Sequence, residues 1–591
     1  MSIRQDDAPA QTATDIGVNR QIQWNRILII TGLLLVMAIY MGLYYKQSYI
    51  GLTDRSSMDV AQIARNISEN KGFSTRFIRP FNLAFLKVDN TFFPELNSAP
   101  LYPYALATAF QLHTPSDQVV IWISLIMLFL AAVATYLLGR LLFDWRVGIL
   151  SACIFGMSAP ALKMGTSGQE WTLAAILFTL LLCAVALFHR SAEQENQTAC
   201  FTYTALSSIL LGLLYMTYQV TVFLALPLAV YFAITGVRRK ANIAMFLIML
   251  ALVISPLVYR NAYYTGSPLL GANTWDIMAN TDTFPGDTFY RSTNPTARTL
   301  TSALLFPMNY FSAFMEKISK GTTELLASII QMLGLVMLPF SIVSILYKFK
   351  DSSANAVRGI LYFTAPLIIL TFAAYNVNKN AVIIFAPIAA IFASAYFLLL
   401  LEAKKLHPIY TRTLIGVFAA LAISPSLVTV IWGTNERIDE RAIAADRFYA
   451  KAGSAGASGT VYTDTPWTAA WRTTSTAIWL PRTDTDIAAL EENAMPMGTV
   501  VLTPESANYP IDEAWYALYS ISLWREYVEN PKAGFRKIVQ AAKIKSEQSK
   551  EAEELLARLK RSFAIAKSIE GLREQRISPL ESNNILVFSF E

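Results

Sequence analysis

Apolar runs of roughly 15 to 22 residues recur along the first three quarters of the chain, separated by polar or basic segments. A hydrocarbon core about 30 Å thick takes about 20 residues of helix, so this spacing predicts membrane-crossing helices. The pattern gives about eleven spans. They run Ile27–Leu43, Val119–Leu138, Val147–Met157, Trp171–Leu187, Phe201–Tyr215, Val220–Thr235, Ile243–Val258, Leu325–Leu346, Gly359–Ala374, Ala381–Leu401 and Leu414–Trp432. The third and fifth are short. No Asp, Glu, Lys or Arg falls inside them. Composition agrees: 54% of the 591 residues are hydrophobic, 15% are charged, and the mean hydropathy is +0.39.

Charge sets the direction. With the N-terminal tail (1–26) cytoplasmic, the inner loops hold Arg140, Arg146, Arg190, Arg238, Arg239, Lys240, Lys348, Lys350, Lys404 and Lys405, while the short outer loops hold little beyond Lys163 and Lys379. The net charge of +6 is largely these inner residues, which suit anionic headgroups; no nucleic-acid motif is present. An odd number of spans puts two long loops, 44–118 and 259–324, and everything after Trp432 on the outer side. The first span reads as a retained anchor, because a polar tail precedes it and no small-residue cleavage site follows. Cys153, Cys183 and Cys200 lie in or beside spans, so the outer segments have no disulfide.

Acidic residues gather in the outer loops: Asp54, Asp59, Asp89 and Glu95, then Glu170, then Asp276, Asp282 and Asp287. This distribution reads as a membrane scaffold with an outer-face site rather than a carrier with charge at mid-bilayer. In Ser57–Glu69, Val60, Ile63, Ala64 and Ile67 recur at helical spacing, with Gln62, Arg65, Asn66 and Glu69 facing away and Gly72 ending the segment. Such a helix would lie in the interface plane with Asp59 in its first turn. Asp59 is then either a helix cap or a reactive carboxylate at the membrane lip. A proline-rich return, Pro100-Leu101-Tyr102-Pro103, precedes a short helix at Ala105–Leu112. The histidines His113, His189 and His407 are far apart and offer no zinc set.

Taken in order, four features resemble the GT-C glycosyltransferases, in the branch of protein O-mannosyltransferases, lipid A aminoarabinose transferases and bacterial relatives. They are Asp59 to Gly72 after the first span, the return at Pro100–Pro103, the short acidic loop Lys163–Glu170, and Pro256-Leu257-Val258-Tyr259-Arg260-Asn261 continuing to Gly266-Ser267-Pro268. The resemblance spans Ile27–Leu401. It implies an inverting transfer of a sugar from a polyprenyl-phosphate donor to a glycan, lipid or protein acceptor at the outer face of a bacterial cytoplasmic membrane. It implies Asp59 as the catalytic base, Arg260 and Lys379 as donor-phosphate contacts, and Glu170, Glu95 and Tyr102 as substrate-orienting groups. The chain departs from the family where Asp-Glu-x-x-Tyr is replaced by Asp59-Val60-Ala61-Gln62, and where Ser98 and Ala99 stand in place of a Glu before the return. Some members use a divalent cation, but no Asp-x-Asp is evident here, and no metal ligand is assigned.

After Trp432 the composition turns charged and mixed. Strand patterns at Gly459–Thr463, Thr499–Leu502 and Ile585–Phe590, with helical patterns at Glu513–Tyr527 and Lys532–Leu572, predict a small α/β domain over 433–591. Trp467 there reads as packing or as a contact for an acceptor sugar. The fold class is thus a mostly α, GT-C-type polytopic membrane protein (27–432) with a small outer α/β domain. A flippase for lipid-linked saccharides and a non-catalytic scaffold are the competing readings.

Overall fold

Each apolar run is helical in the computed structural model. It describes residues 13–84, 93–266, 272–293, 300–375, 378–433, 440–493 and 495–509, with scattered positions and two short strands beyond them. The elements are α1 (Ala13–Ser48), α2 (Arg55–Ser68), β1 (Phe77–Ile78), α3 (Leu101–Leu112), α4 (Asp117–Leu142), α5 (Trp145–Met157), α6 (Ala159–Ser167), α7 (Trp171–Glu193), α8 (Gln197–Tyr215), α9 (Ala225–Thr235), α10 (Arg239–Thr265), α11 (Leu300–Asn309), α12 (Phe311–Leu346), α13 (Ser352–Ala374), α14 (Ala386–Ala403) and α15 (Pro408–Trp432). After them come α16 (Glu440–Ser454), β2 (Thr460–Thr463), α17 (Pro466–Arg472), β3 (Thr476–Trp479), α18 (Asp484–Glu492), β4 (Thr499–Leu502), β5 (Arg573–Gln575) and β6 (Leu586–Ser589).

Among the described residues, nine helices are long and apolar enough to cross a membrane, or ten if the bent pair α5–α6 counts as one span. The third run therefore does not end at Met157. The chain turns by 57° at Ser158 and continues as α6, with a proline in its first turn. The sixth run is a short apolar helix that starts with a 3₁₀ turn at Gln219–Leu224. The eighth begins earlier than its hydropathy indicates, at Phe311, so Glu316, Lys317, Lys320 and Glu324 lie on α12. Lys317 is buried there, and its ammonium donates to the carbonyls of Asp276, Ala279 and Tyr375. A breaker at Gly334 (φ 63°, ψ 179°) divides α12 into two helical segments.

Helices α4, α7 and α14 form the centre of the bundle, whereas α10, α12 and α15 turn most of their apolar surface outward. That outward surface, Leu335, Leu346 and Trp432 included, suits lipid chains. Close approach at the centre needs small residues: a Cβ on Gly148 of α5 would sit 2.7 Å from the Tyr136 carbonyl oxygen of α4.

At one end of the bundle stands a six-stranded sheet of order β1-β3-β2-β4-β6-β5. β1, β3, β2 and β4 pair in parallel; β6 runs antiparallel to β4 and to β5. The strands expected near 459, 499 and 585 are all present. Sequence patterning missed β1, which the first long loop lends to the sheet by pairing Phe77 with Ala477 and Ile78 with Ile478. The predicted helices Glu513–Tyr527 and Lys532–Leu572 lie almost wholly outside the described residues, as does Asp89.

The sheet is tied to the bundle. Asp117, at the start of α4, accepts from the Leu52 amide, the Trp471 indole and both terminal nitrogens of Arg472, at 2.7–3.0 Å. Arg65 of α2 reaches the carbonyls of Ala470, Trp471 and Thr473.

Candidate active site

Helix α2 starts at Asp54, whose carboxylate accepts from the amides of Ser56 and Ser57 and so caps it. Asp59 is therefore not the cap; it lies one turn further in and is 4% exposed. Part of the polar side of α2, expected to face away, is covered instead. α3 and α17 pack on α2, and Gln62 and Asn66 are buried. Each has hydrogen-bond partners there, as burial of an amide demands. Gln62 donates to Asp59 Oδ1 (3.0 Å) and Thr75 Oγ1 (2.7 Å) and accepts from the Arg76 amide, while Asn66 donates to the Ser74 carbonyl. Asn70 (φ 60°), ahead of Gly72 (φ 66°), makes the left-handed turn after the helix.

The partner of Asp59 is Arg79, which sequence reasoning did not single out. Arg79 directly follows β1, and its Nη2 lies 2.5 Å from Asp59 Oδ2. Its Nη1 is 3.9 Å from Glu95 Oε2, and the guanidinium lies over the Phe77 ring, 4.0 Å from the centroid. Asp59 and Arg79 face a cleft of about 370 Å³ at the sheet end of the bundle. Five carboxylates from three separate loops line it, Asp54, Asp59, Glu170, Asp276 and Asp287, with Arg55 and Arg79 as its guanidinium groups. Tyr102, Gln169, Tyr218, Asn378 and Asn380 complete its polar wall.

Burial raises the affinity of two of these acids, Glu170 and Asp276, for protons. Burial, with Asp54 and Asp59 adding repulsion, pushes the Glu170 carboxyl up to about 7, although Ser56 Oγ lies 3.5 Å from it. Burial likewise raises Asp276 against the pull of nearby cations.

The other expected site residues fall around this cleft in different ways. The Tyr102 hydroxyl donates to the Gly168 carbonyl at 3.0 Å, bracing the loop that carries Glu170. Glu95 is buried behind Arg79 and accepts from the amides of Asn97 and Ser98, holding the start of the proline return. Arg260 is outside the cleft lining: its Nη2 donates to the carbonyls of Phe73 and Glu95, and the group packs over the Phe73 ring. Lys379 is exposed and pairs with Glu324 at 3.4 Å, while its neighbours Asn378 and Asn380 reach the cleft. Among the described residues, no group of three or more His, Cys, Asp or Glu is arranged to hold a metal ion.

Solved structures with a similar fold exist at low sequence identity. The Archaeoglobus fulgidus oligosaccharyltransferase in complex with Zn and sulfate overlays at TM-score 0.51 and 11% identity, over 94% of this chain and 88% of that one. The fold is of the GT-C glycosyltransferase type. The archaeal oligosaccharyltransferase AglB from the same organism, in complex with an inhibitory peptide and a dolichol-phosphate, matches at TM-score 0.50 and 13% identity, covering 85% and 71% of the two chains. ArnT from Cupriavidus metallidurans bound to undecaprenyl phosphate overlays at TM-score 0.49 and 12% identity, covering 81% and 93%. Residues 97–259 match the family model described as dolichyl-phosphate-mannose-protein mannosyltransferase. No curated protein sequence matches the chain significantly. In this GT-C frame the matched stretch runs from the proline return into α10 and includes Glu170, while Asp59 and Arg79 precede it.

Proposed function

We propose that the chain transfers a sugar from a polyprenyl-phosphate donor to an acceptor hydroxyl at the outer face of a bacterial cytoplasmic membrane, with inversion at the anomeric carbon. The observation that carries this reading is Asp59, a buried carboxylate facing a small cleft at the end of a GT-C-type bundle, with its orientation set by Gln62 and Arg79. The matched family model and the archaeal enzyme's complex with dolichol-phosphate support a lipid-phosphate donor.

In this mechanism Asp59 accepts the proton of the acceptor hydroxyl through a lone pair not used by Arg79 or Gln62. The acceptor oxygen bonds to the anomeric carbon as the bond from that carbon to the phosphate oxygen breaks. The polyprenyl phosphate leaves with the electron pair. Arg79 keeps Asp59 aligned, and a positioned base of this kind contributes about 10²- to 10⁴-fold. Arg55, in the cleft, and Lys379, at its edge, are the cations proposed to meet the phosphate. Arg260 has a supporting part, fixing the loop that ends in the Asn97–Ser98 wall. Glu170 is proposed to orient a hydroxyl of the bound sugar.

The test is transfer from a panel of radiolabelled polyprenyl-phosphate sugars by membranes carrying wild type or Asp59→Asn, with folding of both checked. Transfer by wild type alone supports the reading, and equal transfer by both removes Asp59 from the mechanism.

A further inference from the structure

A second cavity, of about 340 Å³, opens at the carboxyl ends of β2, β3 and β4. In the parallel part of the sheet β2 sends the chain to β3 on one side, while β4, reached from β3, lies on its other side. Such a switch in strand order is where open α/β sheets bind ligands, in the crevice outside the strand ends. Its volume lies within the small-molecule range of about 300–1,000 Å³.

The lining is specific. Asp464, just after β2, accepts from the amide and hydroxyl of Thr503 and the hydroxyl of Ser506, and so joins the turn after β2 to the turn after β4 as a built floor. Trp467, Trp479 and Tyr509 supply aromatic surface, and Glu505 and Asp287 supply carboxylates. Asp287 also lines the central cleft, and its pairing with Arg55 at 2.8 Å forms the partition between the two spaces. The Arg55 guanidinium lies over the rings of Trp467 and Trp479, 4.7 and 4.1 Å from their centroids.

We propose that this second cavity is an acceptor subsite for a sugar ring, so that the acceptor of the transfer reaction is a saccharide; this rests on the glycosyl-transfer reading above. The π-faces of tryptophan carry negative potential and attract the slightly positive C–H bonds of a pyranose. The carboxylates accept from its hydroxyls, and the one guanidinium among the described residues of the cavity's lining, Arg291, is already paired with Glu513 and lies over the Tyr509 ring, so a neutral saccharide fits better than phosphate. A sugar seated there has the cleft, and Asp59, on the far side of a single ion pair, the direction in which its reacting hydroxyl must point.

The experiment uses full-length protein in nanodiscs on a printed array of defined neutral and amino oligosaccharides, comparing wild type, Asp59→Asn, Trp467→Ala and Glu505→Gln. Wild type and Asp59→Asn bind the same glycans, while Trp467→Ala and Glu505→Gln each weaken binding by about tenfold, about 1.4 kcal/mol. Glu505→Gln keeps the core intact and guards against a Trp467 variant that fails to fold. Absence of glycan binding by wild type, or binding unaffected by both cavity variants, overturns the subsite. Because binding is read without turnover, a failure of Asp59 as catalyst leaves this readout unchanged and is distinguished from it.

Discussion

Arg79 Nη2 and Asp59 Oδ2 lie 2.5 Å apart, with the arginine placed by a strand of the sheet and the aspartate by a helix packed against α17, which itself lies on that sheet. Both side chains are buried, so neither charge can turn to water when the other is removed. Arg79→Ala is expected to cost about 3–5 kcal/mol, since Asp59 and Glu95 lose their shared cation. Arg79→Lys should recover part of that, keeping the charge but not the fork. Thermal unfolding in detergent checks both; equal stability of wild type and Arg79→Ala contradicts the pairing.

Asp59→Asn keeps the oxygen that accepts from Gln62 and removes the charge. Stability should fall less than for Arg79→Ala, while transfer falls by about 10²- to 10⁴-fold. The ratio of the two losses, measured on the same preparation, separates a catalytic from a structural carboxylate.

Glu170 predicts a pH dependence. Its carboxyl titrates near 7 in the folded protein against about 4.5 when unfolded. Between those values the folded state holds a proton that the unfolded state has released, so stability falls as pH rises through this window. The drop contributed by this group is at most about 3 kcal/mol. Glu170→Gln should flatten that part of the stability profile from pH 5 to 7. An unchanged slope in the variant would show that another group is responsible.

Asp117→Ala removes an acceptor shared by the Leu52 amide, the Trp471 indole and the Arg472 guanidinium. With these groups only partly exposed, a loss of about 2–3 kcal/mol is expected. Faster proteolysis in 440–509, ahead of any cut in the bundle, is the accompanying sign.

Gly148→Leu should prevent α4 and α5 from packing, because even a Cβ there meets the Tyr136 carbonyl at 2.7 Å. Gly416→Leu on α15, where a Cβ meets nothing within 4 Å, is expected to be tolerated. Yield of folded protein after detergent extraction compares the two.

The bundle was legible in the sequence because a membrane span is a local property: twenty apolar residues announce themselves without their neighbours. Breaks such as Ser158 were less so, since the hydropathy of Ala159–Ser167 is ordinary and the bend depends on backbone angles. The carboxylates of the site were visible as an outer-loop group, and five of the eight noted lie around one cleft. Their partners were not. Arg79 sits in Arg76-Phe77-Ile78-Arg79-Pro80, where two apolar residues show no periodicity, and only the distant β3 makes them a strand. The signal on offer was a β-prone pair flanked by two arginines, Arg76 and Arg79, inside an acidic loop. Arg260 was placed at the phosphate by its motif, yet its guanidinium is engaged by two backbone carbonyls that only the folded first loop brings to it.

The pairing of Phe77 with Ala477 also dictates when Arg79 can be fixed beside Asp59. At about 5–20 residues per second, the ribosome needs roughly 20–80 s to make the 400 residues that separate them. Throughout that interval the bundle can insert and begin to pack while Arg79 still lacks the neighbour that fixes it beside Asp59. The nascent chain is thus inserted without this ion pair, which closes only when the later strand comes across to meet the first loop.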